Sequence, residues 1–200
     1  MDLSRPIEAL IPGARGRLLG ALIGSGRELS TADAARLSGV SAPQASRVLA
    51  QLVELGVLER RDIPPAVIYR PLAGNAVIAM LTELCVLRNR VIEFAKQSAS
   101  QISPTPVRLS VFGSVARGTS GAESDIDIVA VRPSGADEDD NWVESLGRWS
   151  AGLEVFSGSR INVLEIGIDE WRALDLSERS LWRDINRDEV VLLASEGLAA

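Results

Sequence analysis

Apolar residues in the first half of the chain recur at the spacing of an α-helix. Residues 15–24 carry leucine and isoleucine at positions i, i+1, i+4 and i+5, and residues 41–55 carry apolar side chains along one face. Between these segments, Thr31 is predicted to cap a helix that ends at Gly39. The pattern therefore predicts three helices, with a short turn between the second and the third.

After the third helix the pattern changes to that of a β-hairpin. Two short runs of β-forming residues, at 57–61 and 66–72, flank a turn that contains Pro64 and Pro65. Apolar residues then return at helical spacing through residues 75–96. The hairpin is therefore expected to be followed by one long helix.

A segment rich in serine and proline separates the two halves of the chain. Residues 98–106 have no apolar periodicity, which is typical of a short linker. We therefore predict a first domain at residues 1–74, a connecting helix and linker at residues 75–104, and a second domain at residues 105–200.

The second half alternates between strand and helix patterns. Short apolar runs at 107–112, 128–131, 160–166 and 190–193 predict four strands. The acidic run at 137–140 opens a segment with apolar side chains at helical spacing, and acidic residues stabilise helix N-termini. The chain as a whole is therefore predicted to be α+β, with a mixed sheet in the second domain.

The formal net charge of −6 is divided unevenly along the chain. Residues 1–100 hold 12 basic and 9 acidic residues, whereas residues 101–200 hold 9 basic and 18 acidic residues. A weakly basic half joined to a strongly acidic half favours two domains with different partners. Chance surface composition is the alternative explanation of this asymmetry.

The residue types that are missing exclude several kinds of chemistry within this chain. Histidine is absent and Cys85 is the one cysteine, which excludes an internal disulfide, a histidine-ligated zinc site and a histidine general base. Catalysis would therefore rest on carboxylates, arginines, hydroxyls and bound metal ions. We expect a cytoplasmic protein, because no apolar run reaches the roughly 18 residues of a membrane helix and the N-terminal residues lack an export pattern.

Two short motifs in the second half carry chemistry of their own. Gly113 and Ser114 directly follow the strand predicted at 107–112, and ten residues separate Ser114 from Asp125. Glycine at such a junction lets the backbone approach a phosphate, and the serine hydroxyl adds a donor. Asp125 and Asp127 are two positions apart on a strand, so both side chains leave the same face, and carboxylates placed in this way suit two Mg²⁺ ions. The motifs therefore predict a metal-dependent site for a nucleoside triphosphate.

This arrangement resembles the minimal nucleotidyltransferases of the DNA polymerase β superfamily over about residues 105–195. The resemblance implies a Mg²⁺-dependent, ATP-binding type of transferase that moves a nucleoside monophosphate to an acceptor hydroxyl and releases pyrophosphate. Two Mg²⁺ ions would be held by Asp125 and Asp127, and Gly113 and Ser114 would bind the β- and γ-phosphates. The family also implies a macromolecular acceptor, as in antitoxins that nucleotidylate a partner toxin.

The third catalytic carboxylate of that family is not clearly present in this chain. Its expected position is occupied by Asn162, and Glu165 is the one acid in the predicted strand at 160–166. Period-two alternation places Glu165 on the face opposite Asn162, unless a bulge changes the register. Two interpretations follow: Glu165 is the general base or third ligand, or the domain binds nucleotide with little turnover and serves as the sensor of a transcription regulator.

The first half resembles the winged helix-turn-helix regulators of the MarR and ArsR type over about residues 13–72. In that family the second helix of the pair enters the major groove of DNA. The resemblance implies DNA-facing positions at Ser41, Ala42, Gln44, Ala45 and Arg47, with phosphate contacts from Arg60, Arg61 and Arg70 around the wing.

A winged helix that binds another protein is the competing interpretation. The candidate reading helix has few base-reading side chains, and a balance of +3 over the half is modest for a DNA-binding protein. Winged-helix regulators usually dimerise, so the helix predicted at 75–96 is either a homodimer interface or a spacer packed on its own domain.

Overall fold

The computed structural model describes residues 1–136, 139–175, 182, 185 and 187–195. It divides into two compact units, one formed by residues 5–87 and the other by residues 1–4 together with residues 88–200. The division therefore falls before the serine- and proline-rich segment in which the sequence places the linker.

The first unit packs five helices against a small antiparallel sheet. The strand order in this sheet is β1-β3-β2. The elements in chain order are α1 (Pro6–Leu10), α2 (Ala14–Ser25), β1 (Leu29–Ser30), α3 (Thr31–Ser38), α4 (Ala42–Glu54), β2 (Leu58–Ile63), β3 (Ala66–Pro71) and α5 (Ala76–Cys85).

Local signals in the sequence explain where the helices of this unit begin and end. The N-cap of α3 is Ser30, whose hydroxyl accepts a hydrogen bond from the backbone N–H of Asp33, so the prediction of Thr31 as the cap is wrong by one residue. α3 ends at Ser38 and is capped by Gly39, which has a φ of 62° in the left-handed region. α4 buries Leu49 and Leu52 in the core of the unit, whereas Leu55, which periodicity placed inward, is 61% exposed.

The long helix predicted at 75–96 is two helices. Asn75 caps the first turn of α5 by accepting a hydrogen bond from the backbone N–H of Ile78. α5 ends at Cys85, and the next helix begins at Leu87. Cys85 packs at the margin of the core, and its partial burial raises the pKa of the thiol.

The second unit is built on a mixed four-stranded sheet in the order β6-β5-β4-β7. β4 pairs antiparallel with both β5 and β7, and β5 pairs parallel with β6. This sheet, together with the helices of both units, confirms the predicted α+β class. The elements are α6 (Leu87–Ser98), β4 (Arg108–Phe112), α7 (Gly113–Arg117), β5 (Ile126–Arg132), α8 (Asp140–Ser157), β6 (Ile161–Gly167), α9 (Ile168–Asp175) and β7 (Val190–Ala194).

The segment predicted to be a linker belongs to the core of the second unit. After a 3-10 turn at Ala99–Gln101, Ile102 is 1% exposed, and the backbone N–H of Ser103 donates to the hydroxyl of Ser145 on α8 at 2.9 Å. Its serines and prolines therefore shape a packed connection to the sheet.

Some sequence predictions fall outside the described residues. Asp137 and Glu138, the first half of the acidic run, are among them, whereas Asp139 is the N-cap of α8 and accepts from the backbone N–H of Asn141. Arg183, which the sequence favours as part of a solvated helix face over a triphosphate contact, also lies outside. None of the described helices combines the length and hydropathy that a membrane-spanning helix requires.

Candidate functional site

The two motifs of the second half meet at one edge of the mixed sheet. β4 ends at Phe112, which pairs with Asp127 on β5, and Gly113 follows directly as the first residue of α7. Asn162 on β6 pairs with Asp127 from the other side. Asp125 directly precedes β5 and is exposed, so it lies before the strand rather than within it. We call Asp125, Asp127 and Asn162 the carboxylate edge.

Gly113 lies so close to Asp127 that a side chain at this position would not fit. Its φ of +72° is in the left-handed region, and a Cβ atom placed on it would lie 2.5 Å from Oδ2 of Asp127. Both the backbone conformation and the contact therefore require glycine. The structure thus places the Asp127 carboxylate directly against the junction of β4 and α7, where Ser114 follows as a half-buried residue.

Asn162 occupies the position expected for a third carboxylate and contacts the second one. Its side-chain amide donates from Nδ2 to Oδ1 of Asp127 at 3.1 Å. The two carboxylate oxygens of Asp127 therefore have different neighbours, since Oδ1 faces the amide and Oδ2 faces Gly113. An amide holds the carboxylate in place, but unlike a carboxylate it does not take a proton from a hydroxyl.

Glu165, the candidate general base, is not part of this edge. It pairs with Ala130 in the β5–β6 ladder, three positions beyond the pair of Asp127 and Asn162, so strand alternation places it on the opposite face of the sheet. There its carboxylate forms an ion pair with Arg132. The register contains no bulge that would turn Glu165 toward the edge, so the prediction that it serves as third carboxylate is wrong.

The donor set at the carboxylate edge fits magnesium. Mg²⁺ prefers hard oxygen ligands and is usually held by one or two carboxylates together with substrate phosphates. Asp125 and Asp127 supply two such groups. Within the described part of the chain, no cluster of three or more acidic, cysteine or histidine side chains forms a metal site. A metal at this edge would therefore depend on oxygens from a phosphate-bearing substrate.

Arginines near α7 make contacts that the sequence did not reveal. Arg117 donates to Oδ2 of Asp188 at 3.3 Å, and Arg187 donates to both oxygens of the same carboxylate. The hydrogen bonds from Arg187, and next those from Arg117, lower the pKa of Asp188 to about 2. Arg88 donates to backbone carbonyls of α7, and no motif in the sequence distinguishes it from the other arginines.

The N-terminal half of α4 presents the side chains expected to face DNA. Ser41, Gln44 and Arg47 are all exposed, and within the described residues no acidic side chain pairs with Arg47. Ala45 is fully buried in the core, so its predicted place on the DNA-facing surface is wrong. The exposed surface of α4 is therefore polar and carries an arginine that is available to a phosphate or a base.

The arginines around the wing are paired with acidic side chains. Arg60 forms an ion pair with Asp62 at 2.8 Å, and Asp62 raises the pKa of Arg60. Arg61 and Arg70 both pair with Glu28, which directly precedes β1, and Arg70 also pairs with Glu59 on β2. We call these six residues the wing charges: Arg60 with Asp62, Arg61 with Glu28, and Arg70 with Glu59 and Glu28.

Two family models match the chain. A model of the MarR family matches residues 11–65, and a model of the nucleotidyltransferase domain matches residues 91–184. The chain combines a MarR-type segment with a nucleotidyltransferase domain. Both resemblances inferred from the sequence are thereby confirmed, and no curated protein matches the chain.

Several solved structures are similar to parts of this chain. A toxin–antitoxin complex with AMP-PNP is 20% identical and covers 55% of this chain and 74% of its own, with a TM-score of 0.34. A candidate nucleotidyltransferase from Sulfolobus solfataricus is 22% identical over 56% of this chain and 86% of its own, with the same TM-score. TrmBL2, an archaeal chromatin protein, is 17% identical over 88% of this chain and 72% of its own, with a TM-score of 0.32. All three TM-scores are below 0.5, so neither fold nor function is inferred from them.

Proposed function

We propose that the chain is a DNA-binding protein whose second unit binds a nucleoside triphosphate with Mg²⁺ and transfers its nucleoside monophosphate to an acceptor hydroxyl. The contact between Gly113 and the Asp127 carboxylate carries this proposal. It places an acidic group beside a backbone with no side chain, and the nucleotidyltransferase match covers both residues. A polyphosphate and its metal would bind beside this contact, since the carboxylate itself fills the space next to Gly113.

Each residue of the site has a separate part in this proposal. Asp125 and Asp127 would hold the metal, the backbone of Gly113 would approach the β- and γ-phosphates, and Ser114 would donate its hydroxyl to them. When bound, the metal neutralises phosphate charge and makes an attacking hydroxyl more acidic. The acceptor oxygen would bond to the α-phosphorus as the bond to pyrophosphate breaks. The acceptor is expected to be macromolecular, in line with the family resemblance.

Nucleotide binding and transfer are tested together on the full chain. Wild type, Asp127→Asn and the control Glu144→Gln, an exposed acid on α8, are incubated with Mg²⁺ and labelled nucleoside triphosphates. We expect wild type and the control to bind nucleotide and release pyrophosphate in the presence of an acceptor. Asp127→Asn should lose about 100-fold in rate, because charge stabilisation at the reacting phosphate is lost. An Asp127→Asn variant as active as the control would reject the site.

A second candidate function is a nucleotide sensor that regulates DNA binding without turnover. The contact of Asn162 with Asp127 favours it, because an amide stands where the family places a third carboxylate. This candidate predicts little pyrophosphate release by wild type and a nucleotide-dependent change in duplex affinity. Asn162→Asp should then raise the rate of pyrophosphate release at least about tenfold. If wild type releases pyrophosphate and Asn162→Asp releases it no faster, the sensor function is rejected.

DNA binding is proposed for the exposed surface of α4, supported by the MarR family match and by the polar character of that surface. A duplex-binding protein loses affinity steeply as salt rises, because phosphate contacts release counterions. Duplex affinity measured between low and moderate salt tests this directly. Absence of duplex binding even at low salt would favour the competing role, docking of a partner protein. The homodimer stays a prediction, which sedimentation of the full chain would test.

A further inference from the structure

The end of α7 that lies away from Gly113 is held by one arginine. The half-buried Arg88 on α6 donates from Nε to the carbonyl oxygen of Val115 and from Nη2 to that of Ala116. The same guanidinium lies beside Gly118, whose Cβ position would be 3.9 Å from Nε. The contact is therefore two-pronged and is centred on the last turn of the helix.

One of the two carbonyl groups that Arg88 contacts depends on it for a donor. A five-residue helix cannot pair its last carbonyls internally, and Val115 and Ala116 are almost completely buried. The backbone N–H groups of Thr119 and Gly118 donate to the carbonyls of Ser114 and Val115. The carbonyl of Ala116 is left to Arg88, whose positive charge also suits the C-terminal end of a helix.

We propose that Arg88 is a positioning residue for the nucleotide site, because it fixes the short helix that carries Gly113 and Ser114 against the carboxylate edge. This inference rests on the proposed function, since it concerns the same site. A helix of five residues is not stable by itself and takes its position from its anchors. Without the anchor, the separation of Gly113 from Asp127 would vary, and phosphate binding would weaken.

The two-pronged geometry also predicts that lysine replaces this arginine poorly. The planar guanidinium donates through two nitrogens at a fixed spacing to two neighbouring carbonyls, whereas an ammonium group is a single point. Arg88→Lys should therefore keep the charge and one contact, and Arg88→Gln should lose the charge and the paired geometry.

The test measures affinity for Mg²⁺ with a non-hydrolysable ATP analogue by calorimetry on the full chain. We expect Arg88→Gln to weaken binding about tenfold and Arg88→Lys about threefold, as expected for lost hydrogen bonds that involve a charge. Lys96→Gln is the matched control, because Lys96 is an exposed cation on the same helix, and it should stay within about twofold of wild type.

A second readout separates positioning from general stability. Hydrogen exchange without nucleotide should become faster at the backbone amides of residues 113–118 in Arg88→Gln, while the amides of β5 keep their protection. If Arg88→Gln unfolds, Arg88→Lys carries the test with the same two readouts.

The outcomes distinguish this inference from the proposed function. If wild type does not bind the analogue, the proposed function fails and the inference fails with it. If wild type binds and the folded Arg88 variant binds within twofold of it with unchanged exchange at residues 113–118, the inference alone is overturned. Weakened binding with local loss of protection supports it.

Discussion

The carboxylate edge of the second unit and the wing charges of the first unit both gather charged side chains, but they leave different groups available. At the edge, Asp127 contacts an amide and a glycine, and no basic side chain of the described chain pairs with it. Around the wing, each arginine already has a carboxylate partner. Carboxylates without a cationic partner suit a metal ion. Arginines that are already paired with carboxylates attract a phosphate less strongly, because the carboxylate offsets part of their positive charge. The comparison predicts large, specific effects at the edge and small ones at the wing.

The largest effect is expected from Gly113→Ala. The added methyl group would lie 2.5 Å from Oδ2 of Asp127, and the fold would require the alanine to adopt a φ near +72°. We expect affinity for Mg²⁺ with a non-hydrolysable ATP analogue to fall about 100-fold, because the site is displaced. The free energy of unfolding should fall by roughly 1–3 kcal/mol from the backbone strain. Calorimetric titration and urea unfolding measure the two effects.

Gly135→Ala is the matched control for that experiment. Gly135 has a φ of +82°, but nothing lies within 4 Å of its Cβ position. The control therefore imposes the same kind of strain without a contact, and it should lose stability while binding the nucleotide analogue normally. If Gly113→Ala and Gly135→Ala bind the nucleotide analogue with equal affinity, Gly113 is not part of the nucleotide site.

Buried charge in the second unit is expected to matter for stability more than exposed charge does. Arg108 and Glu189 form an ion pair with side chains that are 12% and 7% exposed, and Arg108 also lies over the ring of Trp171 at 5.6 Å. Glu189→Gln should lower the free energy of unfolding by about 3 kcal/mol, because the ion pair with the largely buried Arg108 loses its negative charge. Glu144→Gln, from an exposed pair on α8, should cost less than about 1 kcal/mol. Similar losses in urea unfolding would contradict this ranking.

Apolar periodicity predicted most elements of both units because burial decides most of them, but it missed the short α1 and β1. The hairpin of the first unit and the four strands of the second formed where alternation and β-branched residues indicated them. The long helix was wrong because the apolar spacing runs through Val86 without a glycine or proline to mark the break. The break between α5 and α6 coincides with the boundary between the two units. Tertiary packing decides that boundary, and the local sequence around Val86 does not reveal it.

The sequence predicted the positions of the candidate site residues on their strands, but not the contacts that these residues make with distant parts of the chain. The motif gave the spacing of Gly113 from Asp127, and the family resemblance gave the position of Asn162; the strand pairing in the structure agrees with both. Alternation alone placed Glu165 on the opposite face, but a bulge could have reversed this, so Glu165 stayed a candidate until the strand register was known. The contacts of Arg88 with α7 and of Glu28 with the wing arginines could not be predicted, because each joins residues that are far apart in the chain.

At the first unit, the comparison predicts that one unpaired arginine on α4 contributes more to DNA binding than a paired arginine of the wing. Arg47→Ala should weaken duplex affinity about tenfold and reduce its salt dependence, whereas Arg60→Ala should change affinity by less than about twofold. Arg60 already donates to Asp62, so its removal also removes a partner from a carboxylate. Fluorescence anisotropy at several salt concentrations measures both variants. A larger effect of Arg60→Ala would place the main DNA contact in the wing.

The smallest effect concerns the loss of stability at acidic pH, to which each unit contributes one carboxyl group with a lowered pKa. Arg187, and next Arg117, lower the pKa of Asp188 from 3.8 to about 2, while hydrogen bonds from Ser30 and Arg36 lower the pKa of Asp33 in the first unit. A carboxyl group with a lowered folded-state pKa stabilises the fold above its unfolded value and loses that contribution as pH falls through the folded value. Asp188→Asn should therefore be less stable than wild type above pH 4, and the difference should shrink as pH falls from 4 to 2. Thermal melting of wild type, Asp188→Asn and Asp33→Asn between pH 5 and pH 2 measures this. A difference for Asp188→Asn that stays constant with pH would mean that packing, rather than its charge, ties this carboxylate to Arg117.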